Sequence, residues 1–254
     1  MTAADRPDIL IVVADQLTTA AMPFHGNDVT QAPAMAALAE SGVVFENAYT
    51  ASPLCTPARG ALMTGLLPSR TQCYDNAAGF SSEIPTFAHH LRTQGYRTAL
   101  AGKMHFCGPD QLHGFEERLT TDIYPADYGW TPDWDRPDDR PAWYHDMSSV
   151  LDAGLCVRSN QLDFDDEVAF AAERSLFGHL RSGDERPFCY VVSFSHPHDP
   201  FAIPRKWLHR RDVDRAGRSY GQNLRRDLAY PRHRALQQLG TLAQQHTSEQ
   251  RTGR

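Results

Sequence analysis

The chain has 254 residues, a formal net charge of −6, and an ordinary globular composition with 41% hydrophobic and 22% charged residues. Such a chain is long enough for one large or two small cores. No apolar run approaches the roughly 20 residues of a membrane span, and no signal-peptide cleavage pattern follows the N-terminus, which disfavours a membrane or secreted protein. The five cysteines are scattered without a CxxC pair. We therefore expect no disulfide framework or zinc ribbon, and a cytoplasmic location.

The apolar pattern predicts alternating strands and helices as far as about residue 203. In chain order these are a buried strand at 8–14, a helix at 33–40, a strand at 43–48, a helix at 86–94, a strand at 97–101, a helix at 165–180 and a buried strand at 188–194. This alternation predicts an α/β fold, a mostly parallel sheet with helices on both faces.

The last fifty residues differ in composition from the rest of the chain. Residues 205–254 contain 12 Lys+Arg against 4 Asp+Glu. Their arginines lack the interleaved aromatic residues of a nucleic-acid-binding arm, so we expect a solvated or poorly folded basic tail instead.

Polar side chains follow three of the predicted strands. Asp15 ends the first strand, Lys103 and His105 follow the strand at 97–101, and His196 and His198 follow the last. Ligands of parallel sheets bind at the carboxyl ends of strands, although any strand end also meets solvent. Lys103 and His105 are two residues apart, so an extended chain would point both side chains the same way.

A short helix is predicted immediately after Cys55. Thr56 suits the N-cap, Pro57 the first helical position and Gly65 the left-handed stop. The positive helix end and the guanidinium of Arg59 would favour a doubly oxygenated anion such as sulfate or phosphate. A cysteine at such a position is also explained as a small buried hydrophobe, so both interpretations stay open.

The run Cys-Thr-Pro-Ala-Arg from residue 55, closing with Thr-Gly at 64–65, resembles the signature of type I sulfatases in the alkaline phosphatase superfamily. Further segments are similar to the choline sulfatase branch, namely 52–59, 74–77, 102–105, 108–116, 120–133 and 195–200. The resemblance covers about residues 7–204. It implies an alkaline-phosphatase-like fold and a sulfuric ester hydrolase acting on choline sulfate.

The resemblance also implies roles for the residues around the cysteine. Cys55 would be oxidised to formylglycine by the formylglycine-generating machinery, and the aldehyde hydrate would attack sulfur. Asp15 and the residue derived from Cys55 would bind a divalent cation, calcium in this family. Arg59 and Lys103 would hold the sulfate, and His105 would take a proton from the hydrate.

Five further residues are candidates for substrate binding or proton transfer. His198 matches the histidine that protonates the leaving alcohol, with His196 as the alternative. Asn76 resembles an amide-bearing residue near the sulfate, although an Asp-Asn turn explains it equally well. Trp130 and His145 match positions that line the choline pocket, since a quaternary ammonium is recognised by aromatic faces. Ordinary packing of an aromatic-rich loop is the alternative for Trp130.

The chain departs from the family pattern beyond its N-terminal part. The resembled enzymes complete their metal site with a Ser-Asp-His-Gly segment and bind sulfate with a later lysine, and neither motif occurs here. We therefore expect residues 1–204 to be the N-terminal part of a catalytic domain, left incomplete with one unpaired sheet edge, and residues 205–254 to be a divergent or frame-shifted tail.

Three functions are compatible with this pattern. The chain is an active choline-sulfatase-like hydrolase, an inactive remnant that binds an anion or associates with a second copy, or a related phosphodiesterase or phosphonate monoester hydrolase. The expected partners are a small sulfate ester, the formylglycine-generating machinery and another copy of the chain. No nucleic acid or membrane is expected.

Overall fold

The computed structural model describes residues 6–131, 133, 135–136, 138–139, 148–151 and 153–205. In chain order the elements are β1 (Ile9–Ala14), two 3-10 helices (Thr19–Ala21 and Pro23–His25), α1 (Pro33–Ser41), α2 (Cys55–Thr64), α3 (Pro68–Thr71), α4 (Phe87–Thr93), β2 (Arg97–Gly102), β3 (Glu117–Arg118), α5 (Ser148–Leu151), β4 (Gly154–Cys156), α6 (Asn160–Ser182), β5 (Phe188–Phe194) and β6 (Ala202–Pro204). Within this described part, no helix is both long and apolar enough to cross a bilayer.

These elements divide between two compact units. The first unit is formed by the described parts of Met1–Leu17, Val44–Asp146 and Arg158–Phe201. It contains the main sheet and every described residue that the sequence marks as a candidate site. The second is formed by the described parts of Thr18–Val43, Met147–Val157 and Ala202–Arg254, and contains the short parallel pair β4 and β6.

The main sheet has the order β1-β5-β2-β3, and all its pairs are parallel. The central strands β5 and β2 are buried along almost their whole length, because both faces of the sheet are covered there. On one face, Leu100 and Val191 pack with Met63 of α2 and Ala88 of α4. On the other face α6 covers the sheet, with its Phe164, Val168 and Ala172 packed against Ala101 and Val192. The predicted α/β class, with helices on both faces of a parallel sheet, is confirmed.

β1 is an edge strand of the described sheet and is less completely covered than β2 and β5. Alternate residues Leu10 and Val12 are 55% and 60% exposed, whereas β2 is fully buried from Thr98 to Gly102. An unpaired strand edge next to exposed apolar side chains is a surface that ordinarily receives another element.

Three sequence-based predictions of local structure are wrong. The strand predicted at 43–48 does not form, and its apolar residues Val43 and Phe45 are 78% and 76% exposed. An alternating pattern specifies a strand only where a neighbouring strand supplies backbone partners. The helix predicted at 165–180 is confirmed, but its predicted start is wrong. It begins at Asn160, because Ser159 caps it by accepting a hydrogen bond from Leu162 N. The third error concerns the start of α2.

Candidate active site

The helix α2 begins at Cys55 itself, two residues before the predicted first helical position, Pro57. Leu54 occupies the N-cap position, so the prediction that Thr56 caps the helix is wrong. The amide of Thr56 instead donates to Asn76 Oδ1 at 3.0 Å. Asn76 thus satisfies one of the amides that every helix leaves unpaired in its first turn, and this fixes it beside Cys55. The predicted left-handed stop at Gly65 is confirmed, with φ of 69°.

The carboxyl ends of three parallel strands meet near this helix. Asp15 follows β1, Lys103 follows β2, and the turn from Ser195 to His198 follows β5, the strand that lies between them. Gly102 allows the close approach of β2 and β5, since a Cβ there would lie 1.9 Å from the carbonyl oxygen of Ser193. The structure therefore brings together polar clusters that are up to 180 residues apart in sequence.

Asp15 is the anionic centre of the site. Its Oδ2 accepts a hydrogen bond from Lys103 Nζ, and its Oδ1 lies 3.2 Å from Arg59 Nη2. All three side chains are buried. Burial by itself raises the pKa of Asp15, but the charges of Lys103 and Arg59 outweigh this and hold that pKa below its usual range.

Arg59 is bound on several sides by the strand ends. Beyond its contact with Asp15, its Nη1 donates to the carbonyl oxygen of Lys103 and to Ser193 Oγ, the latter at 2.9 Å. The forked guanidinium therefore ties β1, β2 and β5 together from α2. Sequence reasoning assigned Arg59 only to an anion and missed this structural part of its role.

Cys55 lies directly beside this charged cluster. Its Sγ is 3.8 Å from Lys103 Nζ, and the thiol also forms a hydrogen bond with His198. Burial raises the pKa of Cys55, but the hydrogen bond with His198 and the charge of Lys103 lower it by more, so it falls below the usual 9.0. A thiol with this environment differs from the inert buried cysteines Cys73, Cys107 and Cys189, whose pKa values burial raises to about 12, 11 and 11.

His198 is oriented by the residue that follows it. Its Nδ1 lies 2.9 Å from the carbonyl oxygen of Asp199 and 3.1 Å from Asp199 Oδ1. Since both partners are acceptors, Nδ1 carries the proton and the other ring nitrogen is left for the site. The hydrogen bond with Cys55 raises the pKa of His198 above its usual value.

His196 points to a different partner. Its Nδ1 lies 2.7 Å from Asp165 Oδ2 on α6. Of the two histidines in this turn, His198 is therefore the one whose ring forms a hydrogen bond with the Cys55 thiol. The geometry favours His198 over His196 as the proton donor that the family pattern implies.

His105 and Lys103 share one aromatic neighbour, Tyr124. The His105 ring stacks on Tyr124 with ring centroids 4.6 Å apart, and Lys103 Nζ lies 4.4 Å from the centroid of the same ring. Trp130 meets the edges of both rings, at 5.2 Å from His105 and 5.1 Å from Tyr124. Burial lowers the pKa of His105 to about 4, so the imidazole is neutral near pH 7.

The reason given for the convergence of Lys103 and His105 is nevertheless wrong. β2 ends at Gly102, and His105 has φ of 56°, so these residues are not on an extended strand. A left-handed residue, not strand alternation, turns the His105 ring towards the site. His145, the other residue assigned to a choline pocket, lies outside the described residues.

A cavity of about 580 Å³ opens beside Cys55, Asp15 and Arg59. Its other walls are mostly apolar and come from β1, the segment 48–51 and the residues around the end of α2. The charged cluster thus lies at the wall of a space wide enough for a small ester.

Among the described residues, Asp15, Cys55 and His198 form a group suited to a metal ion, with ligand atoms within 4.8 Å of one another. They offer a carboxylate, a sulfur and an imidazole nitrogen. Calcium takes about six to eight oxygens, so this group alone supplies only part of a calcium shell.

The comparisons with known proteins agree with this geometry. The model of the sulfatase family matches residues 7–244, which extends beyond the segments on which the resemblance was first based. Choline-sulfatase from Rhizobium meliloti (strain 1021) is 56% identical over 206 residues, which cover 80% of this chain and 40% of that protein. The chain therefore spans about two fifths of the length of this relative.

Solved structures show the same fold. A protein in complex with its substrate D-glucosamine-2-N,6-O-disulfate superposes with a TM-score of 0.55 at 26% identity, covering 80% of this chain and 36% of that one. The phosphonate monoester hydrolase of Agrobacterium radiobacter gives a TM-score of 0.55 at 23% identity, covering 79% and 43%, and supports the fold alone. With its family match, strand order and site, the chain belongs to the sulfatase family.

Proposed function

We propose that the chain is the N-terminal part of a sulfuric ester hydrolase that cleaves choline sulfate to choline and sulfate. In this proposal residues 1–204 belong to the catalytic domain, residues 205–254 form a divergent basic tail, and the protein is cytoplasmic. All five cysteines are free thiols, which is compatible with a reducing compartment. The identity to a choline-sulfatase supports the substrate class.

The observation that carries the proposal is the charge balance around Cys55. Two buried cations, Arg59 and Lys103, share the single carboxylate of Asp15, while the His198 ring pairs with its own carboxylate, Asp199. A buried cluster with an excess of positive charge is costly unless an anion completes it. A sulfate ester carries one negative charge spread over three oxygens, and so complements this cluster.

The chemistry then follows from the side chains that touch the cluster. Cys55, converted to formylglycine, would supply the hydrate oxygen that bonds to sulfur while the bond from sulfur to the choline oxygen breaks. His198, whose Nδ1 is held by Asp199, would donate the proton of its other ring nitrogen to that leaving oxygen. His105 is neutral near pH 7 and would then accept the proton of the remaining hydrate hydroxyl. The bond from the hydrate carbon to the sulfated oxygen would break at the same time, which re-forms the aldehyde and releases sulfate.

A divalent cation would be held by Asp15 and the residue derived from Cys55. We propose calcium, which would sharpen the acidity of the hydrate when bound. The remaining oxygen ligands lie outside the group that the described residues form, so we assign no step of the reaction to the ion.

The assignment of residue 55 as the nucleophile is tested by the mass of the peptide that contains it and by hydrolysis of choline sulfate. We expect the peptide containing Cys55 to carry formylglycine when the chain is produced with the modifying machinery, and choline sulfate to be hydrolysed in the presence of calcium. C55A should abolish hydrolysis, while C156A should leave it unchanged because Cys156 lies in the second unit. Hydrolysis that survives in C55A would disprove the assignment.

The choline assignment needs a separate test, with Trp130 as the variable. We propose that the aromatic group of Trp130 and Tyr124, together with His145, faces the quaternary ammonium. W130A should weaken use of choline sulfate by about 2-fold to 30-fold, as expected from the size of cation–π attractions. Use of 3,3-dimethylbutyl sulfate, the neutral isostere of choline sulfate, should fall far less in W130A. Equal losses for both esters would contradict recognition of the charge.

A second candidate, an inactive remnant that binds anions, is favoured by one specific observation. The single carboxylate in the group suited to a metal, Asp15, is already engaged by Lys103 and Arg59. Formylglycine at position 55 and measurable sulfate binding without turnover would support this candidate over the first.

A further inference from the structure

Two carboxylates outside the charged cluster, one with a buried side chain and one partly buried, hold the chain segments that carry the site. The first is Asp122, whose side chain is 4% exposed. Its Oδ2 accepts hydrogen bonds from the amides of Met104 and His105, both at 2.8 Å, and pairs with Arg118 Nη2 at 2.8 Å. The segment that carries Lys103 and His105 is therefore anchored just after β2 ends.

The second carboxylate, Asp165, does the same after β5. Its Oδ1 accepts from the amide of Ser195 at 2.6 Å, and its Oδ2 accepts from the amide of His196 at 2.9 Å. The amide of His198 then donates to the carbonyl oxygen of Ser195 at 3.1 Å, which closes the turn. Asp165 thus fixes the start of the turn that presents His198 to Cys55.

The two arrangements solve one physical problem. Amides that follow the end of a strand have lost their partners in the sheet, and buried amides need acceptors. A carboxylate accepts from two consecutive amides at once with charge-assisted bonds, and so fixes the direction in which the chain leaves the strand. Asp122 and Asp165 bond to the amides that follow β2 and β5, and to the side chains of Arg118 and His196, but not to Cys55. Both therefore act through the residues they hold.

We propose that Asp122 and Asp165 are positioning residues, which set Lys103 and His198 respectively against the reactive atom of residue 55. The inference rests on the proposed function for the reaction it serves. The test of the inference does not depend on the proposed function, because it measures the reactivity of the unmodified Cys55 thiol. That reactivity depends on Lys103 and His198 and is measured without turnover of a substrate.

The test of Asp165 is a double-mutant cycle read on the thiol. The full chain is produced without the modifying machinery, and alkylation of Cys55 by iodoacetamide at pH 7 is followed by peptide mass spectrometry. We expect D165N and H198A each to slow alkylation by about 3-fold to 10-fold, and the double variant to react no more slowly than H198A alone. If D165N acted only by disturbing the structure, its slowing of alkylation would multiply with that of H198A in the double variant. That result would overturn the proposal.

Asp122 is tested in the same way through Lys103. D122N should slow alkylation of Cys55 in the wild-type background and have no further effect in K103M. The control for both cycles is D166N, which removes the same charge from an exposed neighbour of Asp165 on α6 and should leave the alkylation rate unchanged. An equal loss in D166N would show that net charge, not position, is responsible.

Loss of fold is detected in the same experiment. Cys189 is fully buried, so its alkylation reports unfolding of the sheet. Should D165N expose Cys189, the cycle is repeated with D165E, which keeps the charge but displaces the carboxylate. The proposal holds if D165E slows alkylation of Cys55 in the wild-type background but not in the H198A background. It fails if D165E slows alkylation equally in both backgrounds.

Discussion

The two sides of the main sheet differ sharply in how completely they are built. On the closed side, formed by β2, β5 and the residues that follow them, side chains are buried and the chain ends are anchored by carboxylates. On the open edge, formed by β1 and the apolar wall of the cavity, Leu10 and Val12 are exposed and the described sheet pairs β1 on one side only.

The comparison separates what is preorganised from what is not. Lys103 and His198 are held on the closed side by backbone and side-chain bonds that are already made. Asp15 belongs to the open edge, and its position depends on Lys103 and Arg59. Lys103 and His198 are thus held in place by contacts within the described residues. Asp15, Cys55 and His198, the group suited to a cation, supply only part of a calcium shell among those residues.

The largest loss of stability is expected from a substitution that forces β2 and β5 apart on the closed side. In G102A the new methyl group would meet the carbonyl oxygen of Ser193, and the backbone has φ of 98°. Steric overlap and left-handed strain together should cost about 2 to 6 kcal/mol of unfolding free energy. G183A, also left-handed but with open space around it, should cost only about 1 kcal/mol. Urea denaturation measures both, and equal losses would contradict the packing argument.

Truncating one leucine on each side compares the two regions directly. Leu100 on β2 is fully buried, so L100A should lower the unfolding free energy by about 2 to 5 kcal/mol. Leu10 on β1 is half exposed, so L10A should cost less than about 1 kcal/mol. The comparison fails if L10A is as damaging as L100A in the same urea titration.

The charged cluster should give Cys55 a distinct pH profile of alkylation. Because its pKa is lowered, the reactive thiolate forms at lower pH than in an ordinary cysteine, while Cys73, Cys107 and Cys189 stay protonated until strongly alkaline pH. K103M removes a lowering charge, so its profile for Cys55 should shift to higher pH. Rates measured from pH 6 to pH 10 test this, and an unshifted profile would contradict the role of Lys103.

The smallest effect is expected from a charge placed on the open edge. V12K puts a cation on an exposed apolar position, and should change the unfolding free energy by less than about 0.5 kcal/mol while reducing self-association. Sedimentation velocity over a range of concentrations measures the association. V192K, at a buried position on β5, should prevent folding and is the contrasting variant.

Much of the fold was predictable because its signals are local. The strands predicted at 8–14, 97–101 and 188–194 all form, within a residue of the predicted ends. The prediction that the first of them is buried is wrong, because β1 lies at the sheet edge with Leu10 and Val12 exposed. The strand predicted at 43–48 failed since an apolar pattern does not say whether a partner strand is available. The N-cap at Thr56 failed because Asn76, twenty residues away, accepts from its amide.

The candidate site shows the same division. Its chemistry-bearing residues were identified from motif spacing at Asp15, Cys55, Arg59, Lys103, His105 and His198. The anchoring carboxylates Asp122 and Asp165 were missed, and so was Tyr124 as the shared neighbour of Lys103 and His105. Nothing local marks these three, because each acts on a segment that is distant in sequence or reached through an irregular turn.

The sequence by itself determined the α/β class, the presence of a short helix at the cysteine motif with its stop at Gly65, and the family to which the chain belongs. Short-range spacing fixes these, through capping residues, apolar periodicity and motif register. Only the tertiary structure decided that His198 and not His196 contacts the thiol, and that Arg59 joins three strand ends. Those choices depend on long-range hydrogen bonds and charges whose partners become neighbours only when the sheet assembles.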